Sequence, residues 1–214
     1  MLRLARQLAR MSPVLLALGL IFQPDQSLAE AGPPRFDFAG DVYVAGDAAR
    51  RAETPARALF AMGERVESAA EVSGSAHLAG RDVTLSGPVG GNLYAMGYAV
   101  AVEAPVAGDA TLAAYDVRVA APVAGVVRAA ASAIEIAAPA GALLLAGERI
   151  VIDAEIAGDA RLYAERVEFR PGARVAGSIT VLDEAEILGA PGGARLERVA
   201  TPEVEGPGVV AVAL

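Results

Sequence analysis

The residues able to do chemistry are few, and their spacing says more than their number. The chain of 214 residues holds one histidine, His77, and no cysteine, so a typical zinc site or a Cys–His nucleophile lacks its parts. No G-x-S-x-G, P-loop or H-E-x-x-H segment occurs, and Ser, His and Asp show no arrangement that suggests a triad. The expectation is a protein that is not an enzyme, with no catalytic residue, no metal and no cofactor. Asp41, Asp47, Asp109 and Asp159 each follow a glycine, which raises the calcium turns of nonapeptide β-rolls. Those rolls need G-G-x-G-x-D in successive copies. Here Ser75, Asn92 and Asp109 recur at intervals of 17 residues, and a column that mixes neutral and charged groups reads as a hydrogen-bonding corner ladder.

A second set has the same interval: Tyr43, Phe60, His77 and Tyr94. Side chains so spaced meet only if the chain returns to one place every 17 residues. They would then stand side by side on an outer face, either as a strip that contacts a partner or as a stack that stabilises neighbouring parallel strands. The sequence leaves both readings open. The acidic cluster Asp183, Glu184 and Glu186 reads as a solvated face.

The element that positions these residues is an internal repeat. The text V-x-G-[DNS]-x-x-x-A-G-x-x-V-x-V-x-x-P is clearest from Val72, Val89 and Val106, and coils in register begin at Phe38, Pro55, Val72, Val89, Val106, Val123 and Ala140, then at Ile156 and Val175 after one shorter and one longer step. The fifth and seventh places are apolar throughout, for example Leu59 and Ala61, Leu93 and Ala95, Leu144 and Ala146, while the sixth holds Tyr43, Phe60, His77, Tyr94, Thr111, Arg128 and Leu145. That is the in-and-out alternation of a half-buried strand. Large and small residues swap between neighbouring coils (Leu59/Ala61, Ala76/Leu78, Leu93/Ala95, Ala110/Leu112), which conserves volume per layer as a close-packed interior requires. With 54% apolar but only 5% aromatic residues, the core must be narrow and built of Ala, Val, Leu and Ile. Each coil offers two clear strands and a third short segment around V-x-G, joined at Gly and Pro corners, and coils stack about 4.8 Å apart. The fold expected is an all-β solenoid of about nine roughly triangular coils.

The chain divides on composition into 1–29, 30–37, 38–188 and 189–214. Residues 1–29 carry Arg3, Arg6 and Arg10, an apolar run from Pro13 to Phe22 and small residues at Ser27-Leu28-Ala29, the pattern of a secretory signal peptide. Residues 30–37 form a lead-in with Pro33-Pro34, able to cap only weakly, 38–188 the solenoid, and 189–214 a Gly/Pro-rich tail ending in an apolar run too short to span a bilayer. Removing Arg3, Arg6, Arg10 and Asp25 from 18 basic and 26 acidic residues leaves 15 and 25, a charge of about −10. Such a balance argues against nucleic acid or another polyanion as partner. Export places the protein in the periplasm or cell envelope, with membrane contact only through the signal peptide.

The linked copies Val106-Ala107-Gly108-Asp109, Val117, Val119 and Val123-Ala124-Gly125 resemble those of the bactofilins, a family of polymer-forming bacterial cytoskeletal proteins. Over residues 38–188 the resemblance implies a single-stranded right-handed β-helix with short coils and nucleotide-free, end-to-end self-assembly without a catalytic site. Bactofilins are cytoplasmic, so the chain looks like an exported relative. Two functions are expected: a non-catalytic structural or scaffold protein that self-associates through its solenoid ends or an outer strand face, or a monomeric adhesion module presenting the Tyr43–Tyr94 strip to an envelope protein or glycan.

Overall fold

The computed structural model describes residues 35–46, 48–51, 56–191 and 194–200. The signal-peptide segment, Asp47, Pro55 and the apolar C-terminal run therefore lie outside the described residues. Seventeen strands form one hydrogen-bonded sheet: β1 (Arg35–Phe38), β2 (Asp41–Ala45), β3 (Ala48–Arg51), β4 (Ala58–Ser68), β5 (Ala76–Leu85), β6 (Leu93–Met96), β7 (Ala99–Val102), β8 (Ala110–Ala113), β9 (Asp116–Val119), β10 (Val123–Ile136), β11 (Ala140–Ile152), β12 (Glu155–Ile156), β13 (Ala160–Phe169), β14 (Arg174–Val175), β15 (Ser178–Leu182), β16 (Glu186–Leu188) and β17 (Arg195–Val199). Every pairing except β1–β2 is parallel, and the chain winds as a β-solenoid of about nine turns of about 17 residues.

Each turn has three faces. Face A holds β6, β8 and the first halves of long strands such as β5; face B holds β7, β9 and their second halves. Face C is a single-residue ladder through Ala56, Val72, Val89, Val106 and Val123, continued by Ala140, Ile156 and Val175. The third-face partner of Val72 is thus Ala56, one residue past the coil start read from the repeat. Pro88, Pro105, Pro122 and Pro139, which have no N–H to offer, lend their carbonyls to the N–H of Val72, Val89, Val106 and Val123. Inward residues of all three faces fill one core: in a single turn Leu93, Ala95, Val100, Val102, Ala104 and Val106 are all buried.

The glycine of V-x-G is there for close approach and not for an unusual φ. The only glycines with positive φ are Gly40, Gly46 and Gly189 among the described residues. A Cβ on Gly125 would lie 2.2 Å from Asp109 Oδ1 and 2.7 Å from the Gly108 carbonyl oxygen, and one on Gly108 would meet Asn92 Oδ1 at 2.2 Å. Glycine makes room for the acidic or amide side chain one coil earlier, which is why the repeat reads G-[DNS].

The structure corrects the register in one coil. Val123 pairs with Ala140, but Val126 pairs with Ala142 across a bulge, so the short step falls at the front of this coil rather than at its end. A one-residue slip turns every later side chain to the opposite side. Leu143 and Leu145 are therefore buried, while Leu144 and Ala146 face outward, the reverse of the expectation from counting 17 residues.

Both ends also differ from the expected boundaries. Within the lead-in, β1 runs antiparallel on β2 through a turn at Ala39 (φ 51°) and Gly40 (φ 87°). Phe38 thus closes a hairpin instead of opening the first coil, and the edge of β2 is covered by four residues, not weakly by prolines. Within the segment read as a tail, β17 adds a parallel rung to β15. Its side chains are mostly exposed, with no further rung stacked on it among the described residues, and the apolar alternation that marks the other strands is missing. The inward positions of β1 are both charged, and those of β17 are one apolar, Leu196 across from Ile179, and one charged. Arg35 and Asp37, paired at 2.7 Å, lie across from Val44 and Val42. Arg198 lies across from Val181 and donates to the Asp183 carbonyl at 2.6 Å and the Leu182 carbonyl at 3.2 Å.

Replacing Gly125 with alanine should cost about 1–3 kcal/mol, since the added methyl has no room unless neighbouring backbone shifts. The exposed neighbour change Ala124→Gly should cost less. Urea unfolding of the two variants measures the difference, and equal stabilities would refute the close-approach account.

Candidate functional site

The outer surface of face A is set by two columns of outward residues. The first runs Phe36, Tyr43, Phe60, His77, Tyr94, Thr111, Arg128, Leu144, Arg161, Thr180 and Glu197. Strands held in parallel register place like positions one above another, and the four expected residues do meet. Tyr43 and Phe60 have ring centroids 4.8 Å apart, Phe60 and His77 4.5 Å, His77 and Tyr94 4.8 Å, with interplanar angles of 5°, 3° and 8°. The mutual-stacking reading describes this geometry, and aromatic pairs of this kind contribute about 0.5–1.5 kcal/mol each. The rings are not withdrawn from solvent, however: Tyr43 remains 37% exposed and Tyr94 41%.

Because the rings stack face to face, their faces are used up within the ladder and their edges point outward. Those edges let another protein surface pack apolar side chains against them.

The repeat alone did not reveal how far this surface extends. Phe36 packs on Tyr43 at 5.8 Å and stacks with Phe38 at 6.2 Å, and both phenylalanines are more than 60% exposed. The alternation in Arg35-Phe36-Asp37-Phe38 before Ala39-Gly40 is the signal that could have found them, as a strand leading into a two-residue turn. The second outward column runs Ala45, Met62, Ala79, Met96, Ala113, Ala130, Ala146 and Tyr163, and continues with Leu182 and Val199. It contains no charged residue, and Met62 and Met96 are 58% and 60% exposed. At the corner leading to face B, Tyr98 and Tyr115 stack at 5.1 Å.

The other faces differ in kind. Face B is laced with charges: Arg118 pairs with Glu135 at 2.8 Å, Arg166 with Glu186 at 2.7 Å, and Arg170 also reaches Glu135 at 3.1 Å. Exposed ion pairs of this sort add little stability but keep a surface wet. Face C carries a shallow groove lined by its proline, alanine and glycine residues, with Glu71, Glu155 and Arg174 toward its ends.

The corner between faces C and A holds the polar ladder expected from the sequence. Ser75 Oγ accepts from the Asn92 N–H at 3.3 Å, Asn92 Oδ1 from the Asp109 N–H at 2.9 Å, and Asp109 Oδ1 from the Val126 N–H at 2.9 Å. Asp159 Oδ1 likewise accepts from the Ser178 N–H at 2.8 Å and its hydroxyl at 2.9 Å. Asp41 instead takes a forked pair from Arg57 at 2.9 and 3.0 Å. These carboxylates serve as caps and ion pairs, and among the described residues no group of three or more His, Cys, Asp or Glu could hold a metal ion.

Comparison with protein-family models, with curated proteins and with solved structures finds no match.

The ladder has a pH signature. The Arg128 hydrogen bond, then the Val126 N–H, hold the Asp109 carboxyl below the ordinary value, and the Ser178 N–H and hydroxyl do the same for Asp159. A carboxyl that ionises more readily folded than unfolded stabilises the fold above the unfolded value of about 3.9 and loses that contribution as pH falls below it. Stability should therefore be flat from neutral pH to about 4 and then fall. Asp109→Asn keeps the acceptor for Val126, as Asn92 does one coil earlier, and should lose less stability between pH 7 and pH 3 than the parent. An equal acid loss in urea titrations at both pH values would contradict this.

Proposed function

We propose that this chain is a non-catalytic scaffold protein of the bacterial cell envelope, an exported relative of the bactofilins in its repeat, that acts through the outer surface of face A. The support is the contrast between faces. A parallel sheet is normally covered on both sides. Face A carries an uncharged column from Ala45 to Val199 beside a stack of half-exposed rings, while face B, on the same backbone, carries ion pairs. Contiguous exposed apolar surface of this kind marks a contact region. Export and the envelope location rest on the pattern of residues 1–29.

End-on stacking is the other route that a solenoid offers, and the end rungs weigh against it. An inward-pointing charge or a covering strand blunts a sheet edge, and here β1 covers β2 with Arg35 and Asp37 inward, while β17 sets Arg198 beside the apolar Leu196 in its inward positions. A lateral surface is thus the better assignment.

Replacing Tyr43, Phe60 and Tyr94 together with serine should release the protein from the envelope fraction of cells while its β-type circular dichroism persists. Retention equal to the parent would remove face A as the working surface.

A further inference from the structure

We infer that the partner of face A is face A of a second copy of this chain. The inference rests on the reading that face A is the working surface, and it names the occupant. Three observations carry it.

The first is length. The uncharged column does not stop where the rings stop: beyond Tyr94 it continues through Ala113, Ala130, Ala146, Tyr163, Leu182 and Val199. A partner that needed only the rings would leave this second half bare. A body as long as the solenoid covers all of it, and a second copy has that length by construction, in the self-complementary contact typical of two-fold dimers.

The second is charge. The chain is acidic, with 26 Asp and Glu against 18 basic residues, so two copies repel unless they meet where carboxylates are missing. From β2 to β15 two of the three outward columns of face A contain no carboxylate, their charged members being Arg128 and Arg161; the third, at the corner, has Asp41, Asp109 and Asp159, of which Asp41 is paired with Arg57 and Asp109 with Arg128. Face B has Asp82, Asp116 and Glu135 in its outward positions, and the groove of face C is bounded by Glu71 and Glu155 together with Arg170 and Arg174. Face A thus offers two adjacent columns free of carboxylates on which two copies can approach without that repulsion.

The third is area. From β1 to β17 face A is a stack of rungs about 48 Å tall and about 14 Å wide, or about 700 Å² on each copy at 4.8 Å per rung and 3.3 Å per residue. A dimer using the whole face would bury about 1,400 Å² in total, within the about 1,200–2,000 Å² of stable specific contacts. The ring-bearing half alone would bury about half of that, in the range of incidental contacts. The apolar column beyond the rings is what brings the surface up to the size of a stable dimer.

Sedimentation equilibrium of the purified protein tests the inference. A dimer is expected at micromolar concentration. Met62→Glu combined with Met96→Glu places two carboxylates in the exposed column and should weaken association by at least about 100-fold, with circular dichroism unchanged. Ala99→Glu combined with Ala101→Glu on face B should leave the dimer intact. A parent protein that stays monomeric at about 100 μM, or a dimer indifferent to the Met62/Met96 pair, overturns the inference. If the parent is monomeric and yet the Tyr43/Phe60/Tyr94 variant still leaves the envelope fraction, face A remains the working surface with a different occupant. If that variant is also retained, the functional reading falls with it.

Discussion

Every structural feature of this protein depends on one constraint: a backbone group in one coil must find its hydrogen-bond partner in the coil before and the coil after. The Asp109 N–H bonding to Asn92 and the Val126 N–H bonding to Asp109 are each a step of 17 residues. The core is too thin to hold the chain by bulk alone, with Ala, Val, Leu and Ile at nearly all buried positions and no cysteine in the sequence. The ladder therefore fixes coil length, coil length fixes which side chains stack, and the stacked columns decide what each face offers. The aromatic stack is a consequence of register: parallel rungs about 4.8 Å apart put planar rings at almost their own stacking distance.

Much of this was legible in the sequence because the repeat is a physical requirement and not only a motif. Val, Gly and Pro each occupy a place in the coil where one property is needed, namely an inward branched side chain, room for the acidic or amide group of the previous coil, and a carbonyl whose own N–H is not called upon. The Tyr43–Phe60–His77–Tyr94 ladder followed at once from the interval. What escaped were the places where the interval breaks. Counting residues put Leu144 inside and Leu145 outside, because a bulge between Val123 and Val126 is silent in a run of small residues such as Val123-Ala124-Gly125-Val126. β17 escaped for a different reason. A terminal rung has core on one side only, so Arg198 can stand where every earlier coil needs an apolar residue, and the alternation disappears. β1 was hidden because it is antiparallel and obeys the hairpin rule of Ala39-Gly40, not the coil rule.

The three faces share one backbone and one core but have been given different surfaces. Face B is charged and paired, face C is lined with proline, alanine and glycine, and face A has one uncharged outward column from end to end beside a column that carries rings over about half its length. The core cannot account for these differences, since outward residues do not touch it. They arise on the outside of the solenoid, where the rigid spacing of the coils sets which side chains stand together.

The most direct measurement of the central claim is a comparison of two deletions. Removing Val106–Pro122 takes out one whole coil and joins Pro105 to Val123 in register. Removing only Ala110–Val117 takes out fewer residues but leaves Asp109 and Arg118 joined with no face A strand between them. If the ladder governs the fold, the larger deletion should retain β-type circular dichroism and cooperative thermal unfolding, and the smaller one should lose cooperativity. A smaller deletion that folds as well as the larger one would contradict the account.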